Sequence, residues 1–249
     1  MKVTGIIPAR MGSSRYPGKP LVMIAGKTMI EHVYRRSALS TVLTDVAVAT
    51  PDEEIARVVR GFGGRVVMTA PTHERATDRV AEAASVTGGD IVVVIQGDEP
   101  LLQPDAISDA VAPVAADPSI FCTNLMARIR TEEDFLSPNT IKVVTNQRKD
   151  ALYFSRSPLP GTGVRPFDRL QAFKQVCIIP FRAENLVRFT TLPPTTLEQV
   201  ESIDMLRILE HGYTVRMVET PYDTAAVDVP SDIAIVEEIM ANDPVAKRY

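Results

Sequence analysis

Residues 6–21 combine glycines, serines and cations in a pattern that favours a phosphate ligand. The segment reads IIPARMGSSRYPGKPL and follows the apolar run 3–7. Glycine lets a backbone approach a ligand closely, and exposed N–H groups with fixed cations then neutralise an anion. Three cations, Arg10, Arg15 and Lys19, fit a polyphosphate site better than a solvated surface turn. Nucleotide chemistry is therefore the first hypothesis.

This loop matches neither of two common phosphate-binding motifs. It lacks the Gly-Lys-Ser/Thr ending of a P-loop and the Gly-x-Gly-x-x-Gly of a dinucleotide fold. It does follow the first predicted strand, and ligands of open α/β sheets bind at the carboxyl ends of strands.

Two carboxylates are candidate ligands of a metal ion. Asp98, in QGDEP, directly follows the apolar run 91–95, and Asp228, in AVDVP, lies late in the chain. Each has a simpler alternative, since Asp98 could belong to an ordinary turn and Asp228 could start a helix. Mg²⁺ prefers one or two carboxylates together with substrate phosphates. A triphosphate site needs such an ion, so we predict that both residues bind Mg²⁺.

Other polar residues give weaker signals. Arg79, in TDR, begins a predicted helix and could reach a base or a phosphate; the alternative is an exposed cation on a helix. His73 lies in a polar loop and is predicted to be solvated. The sequence shows no Ser/His/Asp set and no Cys/His spacing typical of a metal site.

The first half of the chain alternates apolar strands with amphipathic helices, which predicts an open, doubly wound α/β sheet. The strands are predicted at 3–7, 46–49, 65–68 and 91–95. The helices are predicted at 29–38, 52–62, 78–85 and 104–116, with Thr77 as the cap of the third.

Beyond residue 121 the strands are clustered and helices follow them. Strands are predicted at 121–127, 142–145, 152–155, 175–179 and near Val215, and helices at 183–190, 198–210 and 231–240. We predict one domain over 1–249, with a mixed α+β region at about 121–225 that makes acceptor or dimer contacts.

Composition excludes several classes of protein. A net charge of −4 and a pI near 5.5 argue against a general nucleic-acid binder. Two cysteines, Cys122 and Cys177, are too few for a disulfide framework or a metal cluster. The sequence has no signal-peptide pattern and no apolar run long enough for a membrane span. We therefore expect a cytoplasmic protein that binds neither nucleic acid nor membrane.

Taken together, the motifs resemble those of the 3-deoxy-manno-octulosonate (KDO) cytidylyltransferases, relatives of the sialic-acid cytidylyltransferases. The resemblance covers nearly the whole chain and rests on IIPARMGSSRYPGKPL, VATPDEEI, GGRVVMT, ATDRVAEA, VVIQGDEPLL, NTIKVV, DALYFSRSPLP and AVDVPSDI. It implies a Rossmann-like, doubly wound mixed α/β sheet of the nucleotide-diphospho-sugar transferase type, a homodimer, and Mg²⁺ as cofactor. The implied reaction joins CTP and a small anionic sugar acid, giving the CMP-sugar and pyrophosphate.

The resemblance also implies roles for individual residues. Arg10, Lys19 and Asp98 are the implied catalytic residues, and Asp98 and Asp228 the metal ligands. The implied CTP-binding residues are Pro8, Ala9, Arg10, Gly12, Ser13, Arg15, Lys19, Thr77, Arg79, Gln96 and Asp98. The implied acceptor-binding residues are Gln96, Arg156, Gln175, Ile179, Glu201 and Asp204.

Some positions depart from the family pattern. The departures are Arg75-Ala76 for Ser-Gly, Gln175 for His, Ile179 for Tyr and Asp204-Met205 for Glu-Gln. A pocket that loses polar groups loses discrimination between hydroxylated ligands. The altered positions favour an alternative acceptor, the phosphonoformate of phosphonate antibiotic pathways. A non-catalytic nucleotide-binding regulator and an enzyme using UTP or another base stay open as further alternatives.

Overall fold

The computed structural model describes residues 1–12, 16–161, 163, 166–222 and 225–249. Its strands are β1 (Val3–Pro8), β2 (Met23–Ile24), β3 (Lys27–Thr28), β4 (Asp45–Thr50), β5 (Arg65–Met68), β6 (Ile91–Ile95), β7 (Cys122–Arg128), β8 (Lys142–Thr145), β9 (Ala151–Ser155), β10 (Phe173–Val176), β11 (Ile178–Arg182) and β12 (Val215–Glu219). Its α-helices are α1 (Met29–Ala38), α2 (Glu53–Gly61), α3 (Ala76–Thr87), α4 (Pro104–Ala116), α5 (Glu132–Leu136), α6 (Ala183–Thr191), α7 (Thr196–Glu201), α8 (Met205–Glu210) and α9 (Asp232–Ala241).

The chain forms two compact units. The first unit comprises Met1–Ser108 and Thr224–Tyr249, and the second comprises Asp109–Asp223. Within the described ranges, no helix combines the length and apolarity that crossing a membrane requires.

The first unit is built on parallel strands in the order β5-β4-β1-β6. Every residue of β1 and β6 is buried, as expected of parallel strands covered on both faces. Because the four strands run in the same direction, their carboxyl ends meet at one edge. The loops that carry Lys19 and Asp98 follow β1 and β6 at that edge.

The predicted alternation of strands and helices in the first half is confirmed, and β5, β6 and α4 have the predicted ends. Helix α3 differs at its start. It begins at Ala76 with Arg75 at the N-cap position, so Thr77 lies inside the helix and does not cap it. A cap residue precedes the helix with non-helical dihedral angles, and Thr77 is instead a buried residue of the first turn.

The second unit has the strand order β11-β7-β10-β8-β9, with β12 parallel to β7. The single strand predicted over 175–179 is wrong, because β10 and β11 are separate. Val176 pairs with Leu125 and Phe181 pairs with Cys122, so the chain carries two extra residues between these pairs. This irregularity, centred near Cys177, breaks the ladder as a bulge does.

The helix predicted over 198–210 is also divided in two. α7 ends at Glu201, Ser202 adopts a left-handed conformation with φ +55°, and α8 begins at Met205. The left-handed Ser202 therefore ends α7 before the buried run 205–208 of α8 begins.

A buried ion pair joins α7 to α8. The Nε and Nη2 atoms of Arg207 donate to the Glu198 carboxylate at 2.8 and 2.6 Å. The guanidinium also lies 4.5 Å from the centre of the Phe189 ring. Both charged side chains have left water, so each depends on its partner to offset the cost of desolvation.

Removing one member of this pair should destabilise the protein strongly. We expect Arg207→Met to lower the free energy of unfolding by about 3 kcal/mol, because Glu198 would stay buried without a counterion. Urea unfolding followed by circular dichroism measures the change. The control Arg60→Met breaks the exposed Arg60–Glu53 pair and should cost less than about 1 kcal/mol. Equal losses in the two variants would contradict the prediction.

Candidate functional site

A cavity of about 270 Å³ lies in the first unit at the carboxyl ends of β1 and β6. Its walls come from the ends of these strands, the loop after β1, and the segment that leads into α3. The lining residues are Pro8, Ala9, Arg10, Lys19, Pro20, Met29, His73, Glu74, Arg75, Ala76, Arg79, Gln96, Gly97 and Asp98.

Backbone contacts fix the loop that carries Lys19. The Met11 amide donates to Asp52 Oδ2 at 2.8 Å, and the Gly18 amide donates to Met11 O at 3.1 Å. Gly18 has φ +73°, a left-handed conformation that glycine adopts without a Cβ clash. A 3₁₀ turn, Lys19–Leu21, begins directly after it. Asp52, which follows β4, is thus a residue of the site's framework that the sequence analysis missed.

Lys19 lies between the two carboxylates predicted to bind metal. Its Nζ donates to Asp98 Oδ2 at 2.8 Å and lies 3.5 Å from Asp228 Oδ1. The three side chains are 12%, 28% and 22% exposed, so the cluster is partly desolvated yet open to a ligand. Both carboxylates thus lie within 4 Å of one ammonium.

The donor set fits a hard divalent cation that also takes substrate oxygens. In the part of the chain that the structure describes, no group of three or more His, Cys, Asp or Glu could hold a metal. Asp98 and Asp228 would supply two oxygen ligands, and a cation such as Mg²⁺ would complete its shell with phosphate and water oxygens.

Local contacts bring these two carboxylates together. The Val227 amide donates to Asp98 O at 2.9 Å, which joins the two segments through their backbones. At Gly97 a Cβ would lie 3.2 Å from Pro8 O, so glycine allows the ends of β6 and β1 to approach closely. Asp232 Oδ2 accepts the Asp228 amide at 2.7 Å where α9 begins.

Arg79 organises one wall of the cavity. Its Nη1 donates to Thr69 Oγ1 at 2.6 Å and to Ala70 O at 3.1 Å, and its Nη2 donates to His73 O at 3.3 Å. The residue is 3% exposed, so the alternative of an exposed surface cation is wrong. Burial, together with the nearby charge of Arg10, lowers the pKa of its guanidinium.

His73 and Glu82 form a hydrogen-bond contact in the same wall, with 2.5 Å between His73 Nε2 and Glu82 Oε2. The His73 side chain is 24% exposed, so it is partly solvated as well as in contact with Glu82 of α3. Burial alone would raise the pKa of Glu82, but hydrogen bonds from the Ala70 amide and from His73 outweigh it and lower that pKa.

The cavity is suited to an anion. The N-terminal end of α3 borders it at Arg75 and Ala76, and a helix N-terminus carries a partial positive charge. Arg10 and Lys19 add formal positive charge from the facing loop. The predicted polyphosphate ligand therefore matches the charge of these walls.

Much of the predicted nucleotide set meets at this cavity. The residues brought together are Pro8, Ala9, Arg10, Lys19, Arg79, Gln96 and Asp98. Gly12 and Thr77 are not among its lining residues, and Thr77 is buried in α3. Ser13 and Arg15 lie outside the described residues.

Apart from Gln96, the residues predicted for an acceptor belong to the second unit. Arg156 Nε donates to Glu201 O at 2.7 Å, and Arg156 Nη1 donates to Pro138 O at 2.9 Å. The Glu201 carboxylate accepts the Arg156 amide at 2.9 Å and Ser155 Oγ at 2.7 Å. Arg156 and Glu201 thus form one hydrogen-bonded cluster at the end of β9.

A buried asparagine orients Gln175. The Nδ2 of Asn124 donates to Val176 O at 2.6 Å and to Leu125 O at 3.0 Å, which fixes the orientation of its carboxamide. Its Oδ1 must then accept a hydrogen bond, and Gln175 Nε2 donates to it at 2.6 Å. Gln175, on β10, therefore directs its amide nitrogen towards Asn124.

The other altered positions differ in accessibility. Ile179 is 4% exposed, and Met205 is fully buried. Asp204, which is partly exposed, occupies the N-cap position of α8. Gln175 and Asp204 are therefore the altered positions of the second unit that present polar side chains outside the core.

Comparison with known proteins identifies relatives over most of the chain. Residues 4–220 match a family model described as cytidylyltransferase. A 3-deoxy-manno-octulosonate cytidylyltransferase of Geobacter metallireducens is 49% identical over 229 residues, which cover 88% of this chain and 90% of that protein.

Solved structures agree with this result. A CMP:2-keto-3-deoxy-manno-octonic acid synthetase complexed with CTP superposes with a TM-score of 0.89 at 39% identity, covering 97% of this chain and 99% of the other. A cytidylyltransferase of Leptospira borgpetersenii has a TM-score of 0.65 at 16% identity, covering 98% and 88% of the two chains. This second likeness concerns the fold alone, and it agrees with the predicted nucleotide-diphospho-sugar transferase type.

Proposed function

Because the chain belongs to the 3-deoxy-manno-octulosonate cytidylyltransferase family, we propose that it transfers CMP from CTP to KDO and releases pyrophosphate. One observation carries the proposal beyond family membership. Lys19, Asp98 and Asp228 converge at the edge of a cationic cavity, and this is the arrangement that a metal-bound triphosphate requires.

We propose that the cavity binds the cytidine triphosphate. Arg10, Lys19 and the N-terminal end of α3 would neutralise its phosphates, and Gln96 and Arg79 would line the ligand on the β6 and α3 sides. An acceptor oxyanion, or a hydroxyl that loses its proton to water, then attacks the α-phosphorus in line. The new P–O bond forms as the bond to pyrophosphate breaks, and the leaving pyrophosphate carries the negative charge.

The residues supply positioning and charge. Lys19 can donate to a phosphate oxygen from the place where it now donates to Asp98. Arg10 can stabilise charge that develops on the leaving group. Fixed cations in a partly desolvated site stabilise such charge without reorganising, so no covalent enzyme intermediate is needed.

We propose that Asp98 and Asp228 hold Mg²⁺. When bound, the ion would neutralise phosphate charge and stabilise the charge that develops at the α-phosphorus. The distances from Lys19 Nζ to the two carboxylates support their sharing one ion.

KDO is the acceptor that the relatives favour. The Geobacter metallireducens protein and the CTP-bound synthetase both carry KDO in their names. These comparisons do not favour the phosphonoformate alternative, and we do not propose it. On the second unit we propose Gln175, Arg156 and Asp204 as polar contacts to the sugar acid.

The reaction can be tested directly. We expect the purified protein to release pyrophosphate from CTP when KDO and Mg²⁺ are both present, and to release none when KDO is omitted. Asp98→Asn should lower turnover by at least about 100-fold, because even outer-shell partners of a metal cost about 10- to 100-fold when they are lost.

The matched control is Asp105→Asn, an exposed aspartate on α4. It should retain wild-type turnover. Turnover of phosphonoformate without turnover of KDO would overturn the acceptor assignment, and full activity of Asp98→Asn would overturn the metal assignment.

A separate variant addresses the acceptor. Gln175→Leu should raise the KM for KDO about 3- to 10-fold and leave the KM for CTP unchanged, since it removes a neutral hydrogen bond worth about 0.5 to 1.5 kcal/mol. Steady-state kinetics with each substrate varied in turn measures both constants. Gln171→Leu, at an exposed position of the same unit, is the control. An unchanged KM for KDO in Gln175→Leu would exclude this residue from the acceptor site.

We also propose that the protein is a homodimer that uses the second unit. Leu152 on β9 is 60% exposed and Val200 on α7 is 78% exposed, and apolar side chains of this kind suit an interface. Light scattering should give twice the 27.3 kDa chain mass, and Leu152→Glu should shift the protein towards monomer. Val86→Glu, an equally apolar exposed position on α3, should not. A monomeric wild type would refute the proposal.

A further inference from the structure

Helix α1 carries the buried polar side chains His32 and Arg36, neither of which is among the residues that line the cavity. Arg36 is fully buried, and its guanidinium donates to Tyr249 Oη at 2.9 Å, to Leu102 O at 3.3 Å and to the Asp243 carboxylate. We call His32, Arg36, Asp243 and Tyr249 the α1 hub.

The hydrogen-bond directions in the α1 hub are determined by the groups present. His32 Nε2 lies 2.8 Å from Ile24 O, which can only accept, so this nitrogen carries the proton. His32 Nδ1 then accepts from the Tyr249 hydroxyl at 2.7 Å, and that hydroxyl accepts from Arg36 Nε. Burial lowers the pKa of His32, which agrees with a neutral ring. The Tyr249 hydroxyl therefore joins both α1 side chains.

The α1 hub binds three segments, and each carries one member of the Lys19–Asp98–Asp228 cluster. Ile24 O belongs to β2, just after the turn that holds Lys19. Leu102 O belongs to the segment that holds Asp98. Asp243 and Tyr249 follow α9, which begins just after Asp228. One buried network on α1 thus connects the supports of all three charged residues.

Packing between the α1 hub and Asp228 is continuous. Val227, next to Asp228, packs in a buried cluster with Ile24, Leu101 and the α9 residues Val236 and Met240. A polar contact runs alongside this packing, because the Ala25 amide donates to the Glu237 carboxylate of α9 at 2.8 Å. At the start of α9, the Asp232 carboxylate accepts a hydrogen bond from the Asp228 amide. A shift of α9 would therefore also move Asp228.

We propose that the α1 hub positions Asp228 and Asp98 for divalent-metal binding. The Tyr249 hydroxyl holds the hub together through its hydrogen bonds to His32 and Arg36. This inference rests on the proposed metal site. Its members are positioning residues, since none of them lines the cavity. Their effect on the metal passes through the backbone segments that carry the two carboxylates.

Tyr249→Phe tests the proposal, because it keeps the ring and removes only the joining hydroxyl. Mn²⁺ alone is the probe, and its binding to the protein is followed by electron paramagnetic resonance. We expect Mn²⁺ affinity to fall about tenfold, the lower end of the about 10- to 100-fold typical of outer-shell partners. Hydrogen exchange should quicken in 225–232 and 96–103. Turnover with CTP and KDO should recover when the metal concentration is raised.

Tyr34→Phe is the matched control. Tyr34 lies on α1, and its hydroxyl donates to Val46 O at 3.3 Å and accepts the Arg65 amide at 3.1 Å. Neither partner belongs to the segments that carry Asp98 and Asp228. Tyr34→Phe should leave Mn²⁺ affinity and exchange in 225–232 unchanged. An equal loss in both tyrosine variants would mean a general effect on stability and would overturn the proposal.

Asp228→Asn separates this inference from the proposed function. If that variant binds Mn²⁺ as the wild type does, the assignment of Asp228 to the metal fails, and with it the role of the α1 hub. If Asp228→Asn loses Mn²⁺ while Tyr249→Phe keeps wild-type affinity and exchange, the metal site stands and the α1 hub is refuted.

Discussion

The contact on which the candidate site depends is the placement of the Lys19 ammonium between Asp98 and Asp228. Two carboxylates held together in a partly buried place repel one another, and burial also costs them hydration. Lys19 compensates for both effects. In the proposed function the same two carboxylates would hold a divalent cation, and Lys19 would then donate to a phosphate oxygen. The ammonium thus keeps the site assembled for its ligand.

Maintaining that contact constrains distant parts of the first unit. Parallel strands deliver Lys19 and Asp98 to one edge, and Gly97 lets the two strand ends approach each other. Asp228 is far away in sequence, so its segment must be brought back and held, here by the Val227 amide on Asp98 O. The buried charge of Arg36 is stable only because Asp243 and two further acceptors satisfy it. The charged cluster at the sheet edge and the α1 hub are therefore connected parts of the first unit.

The sequence predicted the elements whose signal is local. The apolar run of β6 and the spacing of α1 lie entirely within their own residues, and both appear where expected. Of the two elements that were predicted wrongly, one depends on a partner strand far away in sequence. The interruption at Cys177 arises from the register against β7. The left-handed Ser202, by contrast, is a local backbone conformation that separates α7 from α8. Likewise, residue type alone identified Asp98 as a ligand candidate. The contact of His73 with Glu82 could not be predicted in this way, because the fold brings the two side chains together.

The altered family positions show why residue identity alone is a poor guide to an acceptor. Ile179 and Met205 stand where polar residues are expected, yet both side chains are buried, so their change from polar to apolar first concerns packing. Gln175 is different, because its carboxamide is polar and Asn124 restrains it. An imidazole replaced by an oriented carboxamide still forms hydrogen bonds, and it no longer titrates near neutral pH. A loss of discrimination requires polar groups to vanish from the surface that meets the ligand. Departures in the core do not meet that condition, and this weakens the argument from sequence for a non-sugar acceptor.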